Sequence, residues 1–294
     1  MRWHKVTLIG VGLLGGSLGL ALRQRRLAGH VEGYVRRTSS VRECQQIGAV
    51  DKASGDLSVA VADADMVIFC TPLAQMKAIA QAMLPSLKRG AIVTDVGSVK
   101  ASVVRDLEPM CSSVGAFFVG SHPMAGGEKM GVSAARADLF QNATCVLTPT
   151  NSSASHAVEQ LRILWQTVGS KVMMLTPGQH DELVSRSSHL VHVIAAALAS
   201  HVLAPAHGPV QSALCANGFR DTTRVASGSA EMWRDIVLAN SKHLQIELTA
   251  YIEKLERLRQ LLAQDESDEI LGFFELAKNL RDQWSAGGAS PSME

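Results

Sequence analysis

The stretch Lys5-Val-Thr-Leu-Ile-Gly10-Val-Gly12-Leu-Leu-Gly15-Gly-Ser17 decides how the rest of the chain is read. A short β-favouring run enters three glycines spaced GxGxxG, and a helix-forming segment, residues 14–26, leaves them. In that setting the first glycine turns the chain, the second lets the backbone approach a pyrophosphate, and the third lets the helix pack on the strand. The helix start adds free N–H groups and a positive dipole end, both suited to phosphate. Glycines that serve only a turn are the bland alternative. The flanking strand and helix favour the dinucleotide reading, with Gly10, Gly12, Leu13, Leu14 and Gly15 as its first contacts.

Working outward, β-rich runs recur at 31–35, 65–71, 91–95, 117–120, 144–148 and 171–175, separated by helical patterns at 41–47, 74–87 and 101–110. Alternation of this kind predicts βαβ units and a largely parallel, doubly wound α/β sheet of Rossmann type. After Pro177 strand signals vanish. Helical patterns cover 181–203, 230–263 and 268–284, and Leu248, Ile252, Leu255 and Leu262 form one apolar stripe. The expected division is a dinucleotide-binding domain over 1–177 and a helical domain over 178–294.

Composition narrows the function. Of 294 residues 47% are hydrophobic and 19% charged, enough for a core and against global disorder. The 28 basic residues against 27 acidic ones leave a net charge of +1, and aromatics are 4%, so neither nucleic acid nor an anionic membrane is indicated as a partner. The five cysteines are scattered and form no CxxC pair, which argues against a disulfide framework and a cysteine zinc site. The stretch Met1 to Ile9 is too short and too charged to be expected to act as a signal peptide before the glycines begin. The apolar run 190–206, interrupted by His192, Ser200 and His201, reads as a buried helix rather than a membrane span. A cytoplasmic protein acting on a small molecule is expected.

An acidic residue about twenty positions beyond Gly15 would select the ribose hydroxyls of NAD. Val35 stands there, followed by Arg36-Arg37-Thr38-Ser39. Two guanidinium groups and two hydroxyls suit a 2′-phosphate, so NADP is the expected cofactor, with NAD the second choice; the alternative is a solvated basic turn. Thr71 and Pro72, closing the 65–71 strand, complete the cofactor set.

Gly120-Ser-His122-Pro-Met-Ala-Gly-Gly-Glu128 reads as a shaped loop at the carboxyl edge of the sheet, where ligands bind in such folds. A histidine there is suited to take the proton of a hydroxyl under oxidation. Asp95-Val-Gly-Ser98-Val-Lys100 offers a hydroxyl beside the same crevice, although a serine at such a junction is most often a cap. His189 and His192, three apart in Ser188-His-Leu-Val-His192, share a helix face without the thiol or carboxylate that a metal would need. Arg220 and Arg224 in Gly218-Phe-Arg-Asp-Thr-Thr-Arg224 read as carboxylate anchors or as surface partners of Asp221 and Asp235.

Taken in order, GVGLLGGS, DVGSVK, GSHPMAGGE, SHLVH, GFRDTTR and MWRDI resemble the prephenate/arogenate dehydrogenase family of tyrosine biosynthesis over nearly the whole chain. The resemblance implies a nucleotide-binding α/β domain, an all-helical dimerisation domain and a homodimer. It implies oxidative decarboxylation of prephenate or arogenate with NAD(P)+ as hydride acceptor. It makes His122 the catalytic histidine and Ser98 its partner on the ring hydroxyl, also close to the nicotinamide. It makes His192 a contact to the substrate side chain, with His189 beside it, and Arg224 the partner of a substrate carboxylate. Glu128, Asp221 and Trp233 shape and gate the site. Val191 replaces a proline that many members carry. Two other readings compete: a β-hydroxyacid dehydrogenase, whose GxxGxxxK pattern is missing here, and a non-catalytic NADP-sensing dimer, which leaves Ser98, His122, His192 and Arg224 without a purpose.

Overall fold

A computed structural model describes residues 3–127 and 129–286; Glu128 and the side chains of Thr38 and Ser39 lie outside the described residues. Six strands, β1 (Trp3–Ile9), β2 (Ala28–Tyr34), β3 (Lys52–Ser54), β4 (Met66–Phe69), β5 (Ile92–Asp95) and β6 (Phe117–Phe118), form one sheet in the order β3-β2-β1-β4-β5-β6. Every pairing in it is parallel. Successive side chains on a strand point to opposite faces. Accordingly Met66 and Ile68 enter one apolar cluster, with Leu8, Val31 and Trp165, while Val67 and Phe69 enter another, with Met76, Val93 and Leu107. Burial on both faces explains why these strands read as continuous apolar runs.

Strand order reverses between β1 and β4, and the crevice at their carboxyl ends is where such sheets hold ligands. The glycine turn lies there. Gly10 has φ +93°, a left-handed conformation open mainly to glycine. A Cβ on Gly15 would stand 2.1 Å from the Gly10 carbonyl oxygen, so the helix Leu13–Gln24 presses on the turn only because that Cβ is missing.

The strands expected to continue this sheet do not. β7 (Gly120–Pro123), β8 (Thr144–Thr148) and β9 (Lys171–Met174) make a separate sheet, antiparallel between β7 and β8 and parallel between β8 and β9. His122 therefore sits on a strand opposite Val146 and not on a loop. Pairing with β8 overrides the local turn signals of the proline and glycines around it.

The helical part also departs from its pattern. The segment 181–203 is a helix Pro177–Val184, a π-helical turn Ser185–His189 and a helix Leu190–Val202. The first begins four residues before the expected start at 181, with Thr176 and Gln179 closing a reciprocal capping box around Pro177. The segment 230–263 breaks at Asn240 into Ala230–Ala239 and Ser241–Ala263, and Ser267–Ala286 follows. Within Leu190–Val202 only Leu190 and Ala195 are buried and the rest are half-buried or exposed, so the run expected to be a buried core helix is not enclosed within the described residues. The wider stretch Pro177–Ala213 is long and apolar enough to cross a membrane by length and composition alone.

The chain divides into two compact units, Met1–His243 and Leu244–Glu294. The change of composition near 177 is thus no break in packing, because hydrogen bonds described below tie the helices that follow it to the sheets. In the second unit an ion pair joins Arg257 and Glu269 across the turn between the last two helices. Ile252, Leu255 and Leu262 of the expected stripe are 60%, 46% and 59% exposed, and Leu271, Phe274 and Leu280 add to the uncovered apolar surface.

Candidate functional site

The glycine turn opens onto a cavity of about 350 Å³ lined by Gly10, Gly12, Val35, Arg36, Thr71 and Pro72 among others. A Cβ on Gly12 would meet nothing within 4 Å, which leaves the backbone bare on that side. The helix Leu13–Gln24 has no side-chain cap and no acidic residue in its first turn, so its leading N–H groups and positive end face the opening. The Thr71 hydroxyl is buried without a hydrogen-bond partner. An open backbone, uncapped amides and an orphaned hydroxyl fit a dinucleotide. Arg36 and Arg37 line the far side and are exposed. Glu43, from the helix Thr38–Gln46, lines the same cavity with a carboxylate that lies away from the end of β2. Leu13 opens instead onto a neighbouring cavity of about 480 Å³ with Gly127, Lys129 and Arg136. Leu14 packs against the apolar core, and Gly15 is buried against Gly10.

Beyond β5 the backbone is held by a buried polar knot. Asp95 and Lys100, both fully buried, form an ion pair. The Gly97 N–H donates to the Asp95 carboxylate at 2.8 Å, and Lys100 Nζ donates to the Ser121 carbonyl at 2.8 Å. Ser121 donates its hydroxyl to the Asp95 carbonyl at 2.5 Å and its N–H to the Asp95 carboxylate at 3.3 Å. These bonds draw the turn that carries Ser98 against β7, which carries His122.

His122 is the first member of a chain that sequence reading missed. Its Nδ1 lies 2.8 Å from His180 Nε2, and His180 Nδ1 lies 2.8 Å from Asp181 Oδ1. Asp181 also accepts the backbone N–H groups of Lys100 at 2.7 Å and Ala101 at 2.8 Å. A carboxylate in that position only accepts, so His180 donates from Nδ1 and receives at Nε2. His122 then donates from Nδ1, which leaves its Nε2 with a lone pair. Burial, then the neighbouring His180 and Lys100, hold His122 well below the ordinary histidine range. Burial lowers His180 too, against the pull of Asp181.

His192 stacks on Trp233 with ring centroids 3.7 Å apart, and His189 meets the same indole edge-on at 6.2 Å. His192 Nδ1 lies 3.0 Å from the Ser188 carbonyl. Burial lowers His192, and nearby Arg224 lowers it further. His189 is fully buried and pushed down to about 4, mainly by desolvation. Asn240 reaches it, with Nδ2 at 3.1 Å from His189 Nδ1 and 2.7 Å from the Asp181 carbonyl. Arg224 and Asp221 are exposed near these rings' helix, on the segment Asn217–Thr223 and the 3₁₀ turn Arg224–Ser227. Asp235 pairs with Arg234 at 2.7 Å. No cluster of His, Cys, Asp and Glu suited to a metal occurs among the described residues.

Models of two domains match the chain in tandem: "prephenate dehydrogenase, nucleotide-binding domain" over residues 18–174 and "prephenate dehydrogenase, dimerization domain" over residues 176–278. The chain belongs to the prephenate dehydrogenase family. It is 33% identical to the prephenate dehydrogenase of Bacillus subtilis over 94% of this chain and 75% of that one. It is 32% identical to the cyclohexadienyl dehydrogenase of Zymomonas mobilis over 94% of each. The crystal structure of prephenate dehydrogenase from A. aeolicus in complex with hydroxyphenyl propionate and NAD+ superposes with a TM-score of 0.89 at 29% identity, covering 96% of this chain and 99% of that one. Membership makes the chain an oxidoreductase of NAD(P)-dependent oxidative decarboxylation in tyrosine biosynthesis and sets aside both competing readings.

Burial of these rings fixes the sign of a pH effect on stability. Below about pH 6.5 the unfolded chain takes up protons that the folded histidines refuse. Stability is therefore full above that pH and is lost as pH falls towards about 4, the value of His189. Melting temperatures taken between about pH 7.5 and about pH 4.5 should fall, and His189→Gln should make the fall shallower. An unchanged slope in that variant would reject burial of His189 as a cause.

Proposed function

We propose that the chain converts prephenate or arogenate to its aromatic product with NADP+ as acceptor, and that His122 is the general base. The observation that carries this is the chain from His122 through His180 to Asp181, which leaves His122 Nε2 unprotonated. A bound nicotinamide supplies the hydride acceptor. His122 takes the ring hydroxyl's proton at Nε2 as the hydride leaves C4. It returns the proton to the same oxygen as the bond from C1 to the carboxylate breaks, CO2 departs and the ring becomes aromatic. Ser98 hydrogen-bonds that hydroxyl, and aromatisation supplies the driving force, so positioning and proton transfer carry the catalysis. Arg224 pairs with a substrate carboxylate, His192 on Trp233 meets the side chain with His189 behind it, and Asp221 and Glu128 border the site.

Val35 with Arg36 and Arg37 at the cavity supports NADP over NAD. The uncovered apolar residues Ile252, Leu255, Leu262 and Phe274 support a homodimer that buries them, and the exposed face of Pro177–Ala213 supports the same reading over a membrane span. On this reading 1–177 and 178–294 divide by task, nucleotide against substrate and partner, and the enzyme works in the cytoplasm.

Steady-state rates with both acids and both cofactors test the assignment: kcat/KM should be higher with NADP+, and Val35→Asp with Arg36→Ala should shift preference to NAD+. A higher kcat/KM with NAD+ in the unmodified protein overturns the cofactor choice. His122→Asn should lower kcat by roughly 100-fold or more and abolish the acidic limb of its pH profile. Arg224→Ala should instead raise KM roughly 10- to 150-fold, the weight of a charge-assisted pair. Near-normal kcat in the first variant, or weakened cofactor binding with unchanged KM in the second, removes that residue's role. Sedimentation at micromolar concentration should give twice the 31.4 kDa of one chain, and a monomer refutes the dimer.

A further inference from the structure

Asn240 interrupts a helical pattern that otherwise runs from 230 to 263, and its side chain is buried. The Asp181 carbonyl beside it can only accept, so the amide nitrogen of Asn240, not its oxygen, faces that way. The same nitrogen has two hydrogens and no lone pair to offer. His189 Nδ1, 3.1 Å away, must therefore be the acceptor. A neutral imidazole that accepts at Nδ1 carries its proton on Nε2, and burial keeps His189 neutral down to about pH 4. His189 Nε2 is buried without a well-formed hydrogen bond, and the Ser98 backbone is near enough to the ring to favour its proton weakly. A buried donor so weakly satisfied is costly, and its retention points to a stronger acceptor on the bound ligand.

We propose that Asn240 is a positioning residue that locks His189 as the Nε2–H tautomer, holding an N–H donor at the Ser98 turn for an oxygen of the bound ligand. This deepens the reading under Proposed function and rests on it for the ligand's identity. The oxygen belongs either to the substrate or to the cofactor's carboxamide, and both present the same acceptor chemistry.

The test is imidazole ¹⁵N NMR of the full chain combined with kinetics. His189 should show the Nε2–H pattern. Asn240→Asp keeps the shape and, once ionised, only accepts, so at a pH where the new carboxyl is ionised His189 should change to the Nδ1–H form or to imidazolium. Asn240→Ser keeps a donor and should retain the original pattern, which separates loss of the donor from loss of the fold. Asn240→Asp should lower kcat/KM about 10-fold, the weight of one hydrogen bond. In a His189→Gln background, where the amide needs no tautomer, the same change should cost nothing further. A raised substrate KM assigns the oxygen to the substrate; a weakened dinucleotide Kd assigns it to the carboxamide. An unchanged His189 spectrum in Asn240→Asp, or losses that multiply in the double variant, overturns the proposal. If the unmodified protein turns over neither acid, the spectrum and the dinucleotide titration still decide the role of Asn240, so the two failures are distinguishable.

Discussion

The carboxylate of Asp181 is the point on which the arrangement depends. The helix Ala101–Ser113 has no side-chain cap of its own, and Asp181 provides one from elsewhere in the chain by accepting the N–H groups of Lys100 and Ala101. A negative group at a helix start is stabilised by the free amides and the dipole, typically by about 1 kcal/mol. The same carboxylate takes His180 Nδ1–H, so one group seats the helical segment on the sheets and fixes the direction of every proton from Asp181 to His122. Folding and protonation state are thereby joined. Without the cap, neither ring of the pair has a preferred tautomer.

Lys100 and Asp95 show what such order costs. Removing two charges from water is repaid only when the remaining hydrogen-bonding capacity is used. Here the Ser121 carbonyl and N–H and the Gly97 N–H use it. The return is geometric: the end of β5 is held to β7 although β6 between them in sequence spans only Phe117–Phe118. The ammonium also opposes a second positive charge on His122. On the proposed mechanism, that opposition favours giving the hydroxyl proton back once the ring is aromatic.

What the sequence made legible was local. GxGxxG after a strand and the parallel core strands each follow from spacing within a few residues. His122 and Ser98 stood out through their surrounding glycines and proline. His180, Asp181, Lys100 and Asn240 did not, because their partners lie 58, 81, 21 and 59 positions away for the bonds His180 to His122, Asp181 to Lys100, Lys100 to Ser121 and Asn240 to Asp181. Nothing in their immediate neighbours marks them. β7 was hidden for the opposite reason: its own residues announce a turn, and only pairing with β8 makes it a strand. Glu43 was overlooked because it reaches the nucleotide cavity from a helix, while the diagnostic position is the end of β2.

The desolvation of four histidines, three buried and His192 half-buried, bears on the reaction itself. An acid with two carboxylates needs positive anchors, yet one carboxylate must leave as CO2, and a ring of imidazolium groups would hold it back. His122, His180, His189 and His192 are all shifted towards the neutral form, chiefly by desolvation. Neutral rings have defined donors and acceptors, which a fixed network can aim, and they exert no net pull on the departing group. Positive charge is then carried by Lys100, already paired with Asp95, and by the exposed guanidinium of Arg224. The site on this reading separates two demands that a cluster of cations would confuse: directional hydrogen bonding in the dry interior, and charge only where a carboxylate is meant to stay.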